Sequence, residues 1–249
     1  MQLLDVEFRG LPCAGPYQGL ACDMDGHHEL FGPLAVITED FFENLAPADD
    51  AFAALGLRDS EKIKVFGTLS RVSPEKGIIT LLEGFAEAKK IAPHIRLIIV
   101  GDCPDEHEEY IKTVRQYIHE NGLDGTVKIL GSRENALGFL KCIDFYVSPS
   151  MSEGLPYNIL ESLAAGNPVV ATDIPGNNDI IRKSVEGVLI PVNSGRSLAH
   201  GLLTLLEMGT EECKAMVQNG KARIRDQFSL GQMTEKTFSL YKKVLEESS

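Results

Sequence analysis

The stretch that decides the fold is Ser148-Pro-Ser-Met-Ser-Glu-Gly-Leu-Pro-Tyr-Asn-Ile-Leu-Glu-Ser-Leu-Ala-Ala-Gly166. Just before it, Ile143 to Val147 is a short apolar run of the kind that forms a buried parallel strand. Ser148 to Gly154 supplies turn residues, and Pro156 suits a first helical position, where its missing N–H is no loss. Gly166 has the place of a residue that ends a helix in the left-handed conformation. The spacing therefore predicts strand, tight loop and helix in that order. Unsatisfied N–H groups and the positive end of the dipole at such a helix start suit phosphate oxygens. Glu153 lies in the loop beside that start, and Glu161 follows Pro156 by five residues, ~7–8 Å along the axis. A group with its phosphate at the helix start could present hydroxyls to Glu161, which is how a nucleotide's ribose would lie.

Working outward, strand-like and helical segments alternate from Glu61 to the end. Strands are predicted at 62–67, 95–100, 126–130, 143–147, 168–172 and 187–192. Helices are predicted at 77–91, 106–121 and 134–141, with a helical turn at 178–183 and final helices near 196–208, 211–227 and 230–246. This alternation is the pattern of an α/β domain with a doubly wound parallel sheet, Rossmann-like, with ligands expected beyond the carboxyl ends of the strands. The loops after Gly67 and Ser148 both fall on that edge. Residues 1–60 read as an irregular segment, a linker or the remnant of another domain, and 61–249 as the folded domain with its C-terminal helices. Within the irregular segment, Leu34–Ile37 suggests a short strand, and 41–45 and 51–57 suggest helical turns.

Composition narrows the function classes. The 249 residues are 43% hydrophobic and 24% charged, ordinary for a soluble globular chain. The net charge of −12 argues against a nucleic-acid backbone as partner. No apolar run approaches the ~20 residues that span a bilayer, so no transmembrane segment is expected. Met1 to Gly10 lacks the basic start and apolar middle of a signal peptide. Five cysteines, without a Cys-x-x-Cys pair, do not suggest a disulfide framework, and the expected location is cytoplasmic. Cys13, Cys22, His27 and His28 match no usual zinc spacing, so no metal site is assigned to them.

The loop Gly67-Thr-Leu-Ser-Arg-Val-Ser-Pro-Glu-Lys-Gly77 carries two cations, Arg71 and Lys76. An arginine fork and a lysine point charge can stabilise the negative charge on a leaving diphosphate, as can helix-start N–H groups, with no metal required. On this loop alone, solvated surface cations fit equally well. A lone pair of glutamates eight apart is likewise an ordinary pair of solvated acids.

Taken together, the motifs have a family likeness. Glu153-Gly-Leu-Pro156 with Glu161, followed by Ala164-Ala-Gly-Asn-Pro-Val-Val-Ala171, resembles the Glu-x7-Glu signature of glycosyltransferase family 4, retaining enzymes of the GT-B fold. Arg71-x4-Lys76-Gly77, Val100-Gly101-Asp102, Asp144 to Ser150 and Pro175-Gly176-Asn-Asn-Asp179 are similar to further motifs of that family. Ser70 stands where the family has glycine, and Asp179 where it has glutamate. The resemblance implies transfer of a sugar from a nucleoside-diphosphate donor to an unknown acceptor. Glu153 would contact hydroxyls of the sugar, Glu161 those of the ribose, and Arg71 and Lys76 the diphosphate. Backbone N–H groups of Gly154, Leu155 and Tyr157 would meet the phosphates, and Arg133 in the Leu130–Arg133 loop would lie near the base, although a plain turn fits that loop at least as well. GT-B enzymes have a second, acceptor-binding domain, which about 60 residues cannot supply. A second polypeptide providing it, or a non-catalytic nucleotide-sugar or partner-binding module, are the readings that follow. The apolar face of the last helix (Met233, Phe238, Tyr241, Leu245) is expected to lack part of its cover. A nicotinamide enzyme fits poorly, because no Gly-x-Gly-x-x-Gly follows any strand.

Overall fold

The computed structural model describes residue 47, residues 63–133 and residues 135–247. The expectations for the Cys13, Cys22, His27 and His28 set, and for the short elements before residue 60, lie outside the described residues.

Six strands form one parallel sheet: β1 (Lys64–Leu69), β2 (Ile95–Val100), β3 (Val127–Gly131), β4 (Phe145–Ser148), β5 (Val169–Thr172) and β6 (Gly187–Ile190). Their order is β3-β2-β1-β4-β5-β6, the doubly wound Rossmann-like arrangement expected from the alternation. The helices are α1 (Ile78–Ile91), α2 (Glu108–Glu120), α3 (Tyr157–Ala165), α4 (Asn177–Ile180), α5 (Gly195–Glu207), α6 (Thr210–Arg223) and α7 (Leu230–Glu247).

Because successive strand residues point to opposite faces, the near-continuous apolar strands feed two cores. Phe66, Leu97, Ile99, Phe145, Val147 and Val170 join one core with Leu81, Leu82 and Phe85 of α1 and Leu198 and Leu202 of α5. Val65, Ile98, Val100, Tyr146, Val169 and Ala171 join the other with Ile159, Leu160 and Leu163 of α3. Each fully buried large side chain contributes about 1.5–3 kcal/mol by transfer from water, which makes the sheet a rigid frame for its loops.

Several boundaries differ from the sequence reading, each for a local reason. Pro156 is the residue before the first helical one, and Gly166 caps the helix with φ 91°. The helix expected at 134–141 is a 3-10 turn, Leu137–Lys141, preceded by a bond from Gly138 N–H to Asn135 Oδ1. The helix expected at 211–227 ends at Arg223 and continues as a π turn, Ile224–Phe228. Ile224 and Phe228, the apolar residues of that turn, stand four apart as they would in an ordinary helix, so their spacing alone does not mark it. On α7, Phe238, Tyr241 and Leu245 are 63%, 61% and 68% exposed while Met233 is half-buried, so part of this face is open among the described residues. No helix among the described residues is long and apolar enough to cross a membrane.

Candidate functional site

The sheet reverses direction of growth between β1 and β4, which pair directly. The chain leaves β1 for α1 on one face and leaves β4 for α3 on the other, opening a crevice at the carboxyl edge. Two loops line it, residues 70–77 and 149–156.

Backbone contacts hold these loops together. Ser70 N–H donates to Val100 O at 2.9 Å and Val72 N–H to Asp102 O at 2.7 Å, fastening the first loop to the end of β2. The fit at Gly101 is close enough that a Cβ there would stand 1.9 Å from Ser70 O. Gly77 has φ 65°, and a Cβ on it would lie 2.1 Å from Pro149 O in the second loop. Met151 N–H donates to Glu75 O at 2.8 Å, completing the link.

Side chains converge on the same junction. Lys76 Nζ donates to Glu153 Oε1 at 2.7 Å, across the two loops, with the side chains 17% and 11% exposed. Arg71 is half-buried, and its Nη2 donates to Glu75 Oε1 at 3.1 Å; Ser73 Oγ donates to the same oxygen at 2.6 Å. Burial pushes the Glu75 carboxyl up, but the Ser73 hydroxyl, its own backbone N–H and the charges of Arg71 and His107 outweigh it and leave it below its ordinary value. Neither partner of Arg71 nor that of Lys76 was identifiable from the sequence. Glu75 could be seen only as a residue between two cations.

Gly154 and Leu155 are exposed at the crevice, and a Cβ on Gly154 would meet nothing within 4 Å. Tyr157 is the first residue of α3 and packs partly against the second core. The N–H groups of Tyr157 and Asn158 have no acceptor within the helix, as expected of a first turn. One turn on, Glu161 is half-buried and has no hydrogen-bond or ion-pair partner among the described residues. Burial raises its pKa to about 7. Arg133 is exposed at the end of β3, on the same edge of the sheet but two strands away from β1. The structure thus brings Arg71, Lys76, Glu153 and the start of α3 together, sets Glu161 one turn along that helix, and leaves Arg133 apart from them.

Other residues position this group without having been singled out in the sequence. The Tyr146 hydroxyl, fully buried, accepts from Leu69 N–H at 3.1 Å and donates to Leu69 O at 3.2 Å, while Asn158 Nδ2 donates to the same carbonyl at 3.1 Å. These bonds tie the end of β1 to β4 and to the first turn of α3. Thr172 Oγ1 donates to Ser150 O at 2.5 Å, and Asn177 Nδ2 donates to Thr172 O and Oγ1. Asp179 accepts from Gly176 N–H at 3.1 Å, so this shorter acid caps its own helix.

Such an edge has paired cations, exposed glycine backbone, free helix-start N–H groups and a half-buried acid one turn away. It can hold an anion and a vicinal pair of hydroxyls at once. The Escherichia coli UDP-Gal:alpha-D-GlcNAc-diphosphoundecaprenol alpha-1,3-galactosyltransferase is 28% identical over 216 residues, covering 84% of this chain and 52% of that protein. The Streptococcus pneumoniae alpha-monoglucosyldiacylglycerol synthase is 34% identical over 138 residues, covering 54% of this chain and 30% of the relative. Among solved structures, Anabaena HepE in complex with UDP and glucose superposes with a TM-score of 0.71 at 26% identity, over 78% of this chain and 51% of that one. The C-terminal domain of LpcC, a glycosyl transferase group 1 family protein from Francisella tularensis, shares the fold at 21% identity (TM-score 0.64), with 76% of this chain covering 98% of that domain. The chain spans about half the length, or less, of the first two of these relatives and of HepE. The family model described as glycosyl transferases group 1 matches residues 52–223, and the chain belongs to that family.

Proposed function

We propose that residues 61–249 form the donor-binding domain of a retaining glycosyltransferase of the GT-B type, family 4, and that its donor is a uridine diphosphate sugar. The observation that carries the reading is the junction at the β1–β4 switch point, where Lys76 of one loop meets Glu153 of the other beside the start of α3. Uridine as the base rests on HepE, solved with UDP and glucose, and on the galactosyltransferase whose name specifies UDP-Gal.

In this reading the bond between the anomeric carbon and the β-phosphate oxygen breaks. The electron pair leaves with UDP, and an acceptor hydroxyl oxygen forms the new bond to the anomeric carbon while its proton passes to the departing β-phosphate oxygen. Arg71, Lys76 and the N–H groups of Gly154, Leu155 and Tyr157 meet the charge that develops on the leaving diphosphate, a role that calls for no metal. Glu153 holds sugar hydroxyls and shares Lys76 with the diphosphate. Glu161 accepts from the ribose hydroxyls, and Arg133 borders the base. Residues 1–60 are assigned to a linker or to part of the acceptor domain, and a second domain, in the same longer chain or in a second polypeptide, holds the acceptor. The cysteine usage fits work in the reducing cytoplasm.

The cations provide the test. Arg71→Ala and Lys76→Ala are expected to weaken UDP binding by roughly tenfold or more while leaving uridine within about twofold, because charge-assisted bonds are lost only with the phosphates. Equal losses for uridine and UDP would overturn the assignment of the two cations.

A further inference from the structure

We infer that Arg223 is a positioning residue for the Glu153 loop, acting through α4; the inference rests on the donor-site reading above. α4 has only four residues, too few to hold a helix by itself, so its place depends on tertiary anchors. Its last carbonyls are taken by one side chain. Arg223 Nη2 donates to Asp179 O at 2.8 Å and Arg223 Nε to Ile180 O at 2.9 Å. The guanidinium is itself held, because the π turn that follows α6 brings the Phe228 ring to 5.7 Å from it. α6 is seated on α3, where a Cβ on Gly220 would come within 3.0 Å of Leu163. Arg223 thereby joins α4 to the helix that carries Glu161.

The other end of α4 bears on the Glu153 loop. Gly176, at φ 87°, faces the Glu153–Gly154 peptide so closely that a Cβ would lie 2.5 Å from Gly154 O and 3.0 Å from Glu153 O. Asn177 bonds Thr172, which bonds Ser150 O, so α4 also steadies the start of the loop. The Glu153 loop is thus braced from two sides, by Glu75 through Met151 and by α4 through Gly176 and Thr172. Without Arg223, the second brace loses the anchor at the carbonyl end of α4 and keeps only Asn177 on Thr172, while the first brace stays.

The test uses the full chain with Arg223→Met, which keeps the aliphatic stem and removes both bonds. Hydrogen–deuterium exchange is expected to rise roughly tenfold or more, the scale of two lost hydrogen bonds, in residues 174–181 and also in residues 150–156, with residues 95–100 unchanged. Titration with UDP-glucose is expected to show roughly tenfold weaker binding and UDP a clearly smaller loss, because the sugar depends on Glu153 while UDP keeps Arg71, Lys76 and the start of α3 when the loop N–H groups loosen. Gly176→Ala, which intrudes on the same peptide from the other end of α4, is expected to show the same split. Faster exchange confined to 174–181, or equal weakening of UDP and UDP-glucose, would overturn the inference. Binding of neither ligand by the unaltered chain would remove the donor-site reading, and the exchange at 150–156 would still decide whether Arg223 braces the loop.

Discussion

Lys76 and Glu153 form an ion pair of 2.7 Å that joins the loop after β1 to the loop after β4 at the point where the sheet changes direction. Its side chains are largely shielded from water, unlike the half-exposed Arg71–Glu75 pair nearby. Surface pairs contribute little, about 0–1 kcal/mol, whereas an acid stripped of its partner in a shielded place carries an uncompensated desolvation penalty.

That difference predicts asymmetric single variants. Lys76→Met leaves the Glu153 carboxylate without its cation and is expected to cost about 1–3 kcal/mol in urea denaturation. Glu153→Gln should cost less, and the double variant should be more stable than the sum of the two losses implies. A double-mutant cycle with coupling of about 0.5–3 kcal/mol is the expected outcome, and strictly additive losses would show that the pair contributes nothing as a pair.

Glu161 predicts a pH dependence with a definite sign. Its folded pKa is about 7 against an ordinary 4.5, so between those values the folded protein holds a proton that the unfolded chain has released. The stability due to this group is fully present below the ordinary value and is lost as pH rises through about 7. Glu161→Gln should flatten the denaturation profile over that window. Binding should move the other way. An ionised carboxylate accepts from both ribose hydroxyls, so uridine should bind more tightly at pH 8 than at pH 6, and this difference should vanish in Glu161→Gln.

Two glycines predict opposite outcomes. Gly77→Ala places a Cβ against Pro149 O at a left-handed φ of 65°, and the expected loss of stability is about 2–4 kcal/mol. Gly154→Ala meets open space, so its stability should stay within about 0.5 kcal/mol of the unaltered chain. UDP binding should nevertheless weaken in Gly154→Ala, because the phosphate is assigned to that open backbone. Unchanged UDP affinity in this variant would remove Gly154 from the site.

How much of this was legible in the sequence follows from what each feature depends on. Ile95 to Val100 is a strand over the residues its apolar run predicts, because a parallel strand buried on both faces has no need of polar residues. Gly166 ends α3 for a reason visible in one residue, its tolerance of positive φ. The grouping of Arg71, Lys76 and Glu153 at one edge followed from strand alternation alone. The pairing of Lys76 with Glu153, rather than of Arg71 with Glu153, did not, since it depends on how Gly77 lets one loop approach Pro149. Tyr146, Thr172 and Arg223 act on residues far along the chain, through backbone carbonyls that carry no residue-specific signal. The π turn that sets Phe228 near Arg223 is silent for another reason, because its apolar residues Ile224 and Phe228 stand four apart, as in an ordinary helix.

The most direct measurement is a calorimetric titration of the full chain with UDP, GDP and ADP, repeated on Glu161→Ala. A donor domain with uridine specificity predicts saturable binding of UDP in preference to the other two, lost in the variant. No saturable binding of any of the three by the folded chain would contradict the donor-site reading and leave only the fold and the family.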